Sequence, residues 1–111
     1  MDTSALTSGF AAYFAALTLG DIPADVQGLG RLLLLDTVGC MTAGAQAAPA
    51  QQIRTVGRLF GGAGQASEVG NHELQGVARA AYVNARVANL LDFDETYPVG
   101  VHFGVGAVAA A

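Results

Sequence analysis

Lysine and tryptophan are absent from this chain, cysteine occurs once, and only 13% of its 111 residues are charged. Without lysine there is no amine to form a Schiff base or to serve as a lysine base, and all five cations are arginines (Arg31, Arg54, Arg58, Arg79, Arg86). A net charge of −4 with no basic cluster excludes nucleic acid as an expected partner. The single Cys40 rules out an internal disulfide and makes a reducing, cytoplasmic setting the default. It lies in an apolar stretch with no positive charge close by, so it reads as a buried, unreactive thiol. A secretory signal is not indicated, because the apolar run Phe10 to Leu19 precedes the first basic residue, Arg31. No apolar run approaches the ~20 residues that span a bilayer, so no membrane is expected as a partner.

What the chain does contain is apolar residues, 52% of the total. The charged fraction is about half the usual value for a soluble domain. So few charges cover a small globule poorly, which points to surface buried against something else or to a part of a larger protein. The chain is long enough for one domain, 1–111, with a modest core. It stops inside an Ala/Val run, as a domain cut short at its C-terminal end would.

Periodicity predicts an all-α fold of five helices. The first runs from about Ser4 to Leu19 and ends at Gly20; Asp21-Ile22-Pro23 is a restart, with proline tolerated in a first helical turn. The second, about Pro23 to Ala43, is apolar on nearly all sides from Leu32 onward, which predicts burial on more than one face. Asp36 interrupts that run as either a satisfied buried group or a solvent-facing edge. Pro49 opens a third helix to about Phe60, whose Arg54 and Arg58 share one face and read as solvated. Gly61-Gly62-Ala63-Gly64 is a connector, not a phosphate loop, since lysine and the strand-to-helix setting are missing. Residues 66–70 could be extended. The fourth helix shows the clearest spacing, with Leu74, Val77, Ala78, Ala81, Tyr82, Ala85 and Ala88 recurring every three or four residues, Asn71 as a candidate N-cap, His72 a surface or capping residue, and an end near Leu91. A fifth begins near Phe103.

Charge is concentrated in one place. Asp92, Asp94, Glu95 and His102 put three of nine acidic residues and one of two histidines within eleven positions. Asn84 and Asn89 lie on the preceding helix, and glycines at 100 and 104 would let backbone approach on either side of the histidine. A carboxylate, the Thr96 hydroxyl and an imidazole on one loop suit proton transfer or the gripping of a carboxylate substrate. Spacing alone favours a solvated loop over a site. Hard-cation binding is a further reading, but there is no regular ligand spacing and no second histidine nearby, so no metal is expected.

The stretches Ala80-Ala81-Tyr82-Val83-Asn84-Ala85 and Ala88-Asn89-Leu90-Leu91-Asp92-Phe93-Asp94-Glu95-Thr96, followed by His102, resemble the MmgE/PrpD family. Asp21-Ile22-Pro23, Leu34-Leu35-Asp36-Thr37-Val38-Gly39-Cys40 and Ala43-Gly44-Ala45 resemble its opening helices, in the same order. That family includes 2-methylcitrate dehydratase, cis-aconitate decarboxylase and iminodisuccinate epimerase. The resemblance implies a helical domain that complete members join to a smaller α/β lid, absent from this chain, and it implies a homodimer. It also implies proton removal or elimination beside the carboxylates of a small di- or tricarboxylic acid, with no metal or organic cofactor. Dehydration of a 2-methylcitrate-like substrate is the leading reaction, with epimerisation, decarboxylation or a non-catalytic helical module as alternatives. Carried over by position, the catalytic residues are Asp92, Thr96 and His102, with Asn84 and Asn89 as substrate-binding residues. Ala85 and Asn89 stand where members often have glycine and histidine, and Glu95 replaces a common aspartate. The remaining catalytic groups of the family, lysines and a further histidine, lie beyond position 111.

Overall fold

The computed structural model describes residues 3–111, which form five α-helices and one short strand. They fall into two compact units, one up to residue 31 and one of residues 32–111. In the first, α1 (Thr3–Ala16) stops three residues earlier than its composition suggested, and a 3₁₀ turn, Leu19–Asp21, follows. The Asp21 carboxylate makes that turn by accepting from both the Thr18 N–H (2.9 Å) and the Thr18 hydroxyl (2.6 Å). These two bonds, the side-chain one first, hold the Asp21 carboxyl below the usual carboxylate range. Gln27 then donates to the Leu19 and Ile22 carbonyls, orienting the first turns of α2 (Ala24–Gly44).

In the second unit the C-terminal half of α2, α3 (Ala50–Gly57) and α4 (Val77–Ala88) supply the core residues Met41, Ala50, Ile53, Val83, Val87 and Ala88. Val105, Val108 and Ala109 of α5 (Phe103–Ala110) pack against them. Small residues permit the close approaches. A Cβ at Gly44 would collide with the Val87 carbonyl oxygen, and one at Gly57 would lie 2.6 Å from a Val83 methyl. Any larger residue there would push α2 or α3 away from α4.

The expected burial of α2 on several faces is not found. Only Thr37, Cys40, Met41 and Gly44 are buried, whereas Leu32 is 64% and Leu35 70% exposed. The apolar ring is present in sequence, and among the described residues much of it is exposed. Asp36 is on the exposed edge, and Cys40 is buried as anticipated. Burial, and after it the Asp36 and Asp94 carboxylates, push its thiol pKa up.

Two further expectations are corrected. Asn71 does not cap α4, which begins at Val77 after Gly76. Its Oδ1 accepts from the Glu73 N–H (3.1 Å), closing a local turn, and Gln75 then bridges to β1 (Ala63–Ala66), so residues 71–76 are drawn away from the helix. Arg54 is not solvated. It donates to Glu68 (3.1 Å) and to the carbonyls of Ala45 and Val69, while Arg58 does stand exposed. The side chain of Glu68 is wholly buried, and its other oxygen accepts from Arg79 at 3.0 Å. One carboxylate between two guanidinium groups thus fastens the loop after β1 to α3 and α4. Among the described residues no helix is long and apolar enough to cross a membrane.

Candidate active site

Helix α4 ends at Ala88, and the chain reverses within four residues. The Leu90 and Asp92 N–H groups donate to the Val87 and Asn89 carbonyls, and Asp92 takes a φ of +50°. That left-handed conformation is costly for most residues and least so for Asp, Asn and Gly. It completes the reversal that begins after Ala88 and returns Asp94 to the protein interior.

A second turn brings in the histidine. The Gly100 N–H donates to the Tyr97 carbonyl (2.8 Å) and the Tyr97 N–H to the Val101 carbonyl (2.9 Å), with Gly100 at φ +74°. Pro98 after the first turn residue and a left-handed Gly100 closing it form a three-residue hairpin with a glycine bulge. Gly100 therefore serves the turn's dihedral angle and not close approach, since a Cβ there would meet nothing within 4 Å. Gly104 does serve close approach, because a Cβ there would lie 2.8 Å from Leu33 and 3.0 Å from the Glu95 carboxylate. Tyr97 and Phe103 pack edge to face across the hairpin, ring centres 6.0 Å apart.

The three carboxylates then have three different surroundings. Asp92 is open to solvent, its side chain 85% exposed, with one oxygen 3.7 Å from His102 Nε2. Asp94 is buried, its side chain 1% exposed; Oδ2 is 2.8 Å from His102 Nδ1 and Oδ1 accepts from the Asn89 amide at 3.1 Å. Glu95 accepts from the Gly104 N–H with Oε1, at the first turn of α5, where His102 makes no side-chain cap. An anionic side chain is favoured there by the helix dipole. The other Glu95 oxygen is buried without a partner. The Thr96 hydroxyl reaches the Asp94 carbonyl at 3.4 Å and is otherwise exposed.

The structure thus gathers Asn89, Asp92, Thr96 and His102 around Asp94. It does not bring Asn84 there. The Asn84 amide accepts from the Val69 N–H (2.9 Å) and donates to the Ser67 carbonyl (2.9 Å), on the loop that Glu68 anchors. Asp94, whose burial makes it the centre of the cluster, carried no distinguishing mark in sequence beyond its place in the charged run.

One ligand atom each from Asp94, Glu95 and His102 lies within 4.8 Å of the others, a separation that a cation could bridge. All three side chains already hold hydrogen bonds, His102 to Asp94 and Glu95 to the Gly104 N–H. Nearby, a cleft of about 300 Å³ runs between Leu35 and Ala43 of α2 and the side chains of Leu91 and Phe93.

The model of the MmgE/PrpD N-terminal domain matches residues 8–111. The chain belongs to the MmgE/PrpD family. Comparison with curated proteins and with solved structures gives no match. The matched span of this MmgE/PrpD domain takes in α4, the Asp92 reversal, the hairpin and His102 together.

Proposed function

We propose that this MmgE/PrpD domain forms one wall of the active site of a cofactor-independent lyase or isomerase acting on a small di- or tricarboxylic acid. Dehydration of a 2-methylcitrate-like substrate is the leading reaction, with epimerisation or decarboxylation as the runner-up. The observation that carries the reading is His102, held through Nδ1 by buried Asp94 while Nε2 lies beside solvent-facing Asp92. A proton beside a substrate carboxylate can be removed or returned at such an imidazole. In this reading Asp92 orients the substrate or accepts a proton, and Thr96 and Asn89 hydrogen-bond its carboxylates. Asn84 is left out of the substrate-binding set, because both ends of its amide are engaged elsewhere.

Electrostatics limits what this wall can do by itself. Asp92, Asp94 and Glu95 give the loop a negative field, and Arg54 and Arg79 are tied to Glu68. A polyanionic substrate needs cations, and this chain has no lysine to offer. Cationic groups from outside residues 1–111 complete the pocket in this reading. The bare apolar faces of α2 support a homodimer, and the single buried Cys40 fits a reducing cytoplasm.

The test is turnover of 2-methylcitrate, cis-aconitate and related acids by the protein translated through its complete reading frame, beside its His102→Ala variant. A loss of about a hundredfold or more in the variant is expected. Equal turnover would remove His102 from the mechanism, and turnover of none of these acids would favour a non-catalytic helical module. The 111-residue chain alone is expected to self-associate, and a strictly monomeric species in analytical ultracentrifugation would contradict that.

A further inference from the structure

His102 has two ring nitrogens, and the groups around them are unlike. Nδ1 is 2.8 Å from a carboxylate whose side chain is 1% exposed, while Nε2 is 3.7 Å from one that is 85% exposed. An ionised carboxylate can only accept, so the hydrogen between Nδ1 and Asp94 belongs to the ring. The far oxygen of Asp94 is occupied by the Asn89 amide, a donor on the last turn of α4. Asp94 is therefore held at both oxygens and cannot rotate away without losing two bonds.

We propose that Asp94, fixed in turn by Asn89, is a positioning residue that locks neutral His102 in its Nδ1–H tautomer and leaves Nε2 as the open proton acceptor beside Asp92. Its bearing on catalysis rests on the role given to His102 above; the tautomer itself does not. The same geometry explains how a non-titrating asparagine at position 89 serves the site. Its amide supplies a hydrogen to Asp94 at every pH, so the carboxylate keeps its free oxygen for the imidazole.

The Asn89 contact biases the outcome of the substitution Asp94→Asn. While the Asn89 NH₂ keeps facing position 94, the new side chain turns its oxygen toward residue 89 and its NH₂ toward His102. Nδ1 must then present a lone pair, and the hydrogen moves to Nε2. The ring becomes the wrong tautomer without being displaced.

Long-range proton–nitrogen correlation spectra of the ¹⁵N-histidine-labelled chain, recorded where the ring is neutral, read the tautomer directly. His72→Gln, at an exposed position, leaves one ring to assign. The expected pattern is a protonated Nδ1 and a bare Nε2 in the parent chain, inverted in Asp94→Asn. A dominant Nε2–H form in the parent overturns the proposal. The parent spectrum decides even if the variant does not fold. In the protein with its complete reading frame, Asp94→Asn lowers kcat about a hundredfold or more with KM little changed. An Nδ1–H parent ring in a protein whose His102→Ala variant keeps full turnover would support the positioning device and sink the catalytic role instead.

Discussion

Glu68 and Asp94 are both buried carboxylates with both oxygens engaged, yet they are built for opposite ends. Glu68 lies between two guanidinium groups, which keep their charge at any pH the protein meets, and its side chain is closed off from water. Asp94 lies between an amide and an imidazole, and the imidazole can gain and lose a proton. The first cluster ties a loop to two helices and has no state to change into. The second ends on a ring that is 23% exposed and can exchange protons with whatever lies against it. Burial of a carboxylate thus says little about its purpose; the titration of its partners says more.

The comparison can be broken most sharply at Glu68. Glu68→Gln leaves two partly buried guanidinium groups without their counter-charge and is expected to cost about 3 kcal/mol in urea denaturation. A cost under about 1 kcal/mol would mean that the triad does not hold the loop. Asn84→Ala removes two bonds to the same loop and should cost about 2 kcal/mol, with KM unchanged in the complete protein. A selective rise in KM would move Asn84 from the first cluster to the second. Asp94→Asn keeps its bond to Asn89, so its stability cost should be about 1 kcal/mol while its effect on turnover is large.

Asp92→Asn should change stability by less than about 0.5 kcal/mol, because the side chain is exposed and asparagine accepts the left-handed backbone equally well. Reduced turnover without reduced stability would support its place beside the substrate. The smallest effect concerns Asp21, a carboxylate outside both clusters. Its pKa is lowered in the folded chain, so its contribution is present above the ordinary carboxylate pKa and is lost as pH falls through the lowered value. Thr18→Ala should raise its titration midpoint toward that of a free aspartate, as read by NMR.

Helix periodicity made the helices legible but not the buried face of α4: of Leu74, Val77, Ala78, Ala81, Tyr82, Ala85 and Ala88 only Ala88 is buried, while Leu74 and Val77 are exposed and Val83 and Val87 fill the core instead. Family resemblance marked the charged stretch. What could not be read depends on pairs distant along the chain. Arg54 is fourteen residues from Glu68, and nothing local distinguishes it from exposed Arg58 four residues on. Asn71 has the chemistry of a cap, but a competing turn with Glu73 and the pairing of Gln75 to β1 decide the helix start. Within the charged stretch, Asp92 and Asp94 differ because the backbone reverses at φ +50°, a choice that packing makes and composition does not announce. The exposed apolar side of α2 carries the matching lesson, that an apolar pattern by itself does not make a face buried.

The hairpin from Tyr97 to Val101 acts as a spacer of set length. Its own two backbone bonds and the Tyr97–Phe103 contact close it without help from the site. Val99 at its tip stands out in solvent and can be exchanged freely, whereas Gly100 is held by its φ. Adding or removing one residue is another matter, since that would turn the imidazole off the line to Asp94. A redesign that seeks new specificity here has side chains to vary, but no freedom in loop length.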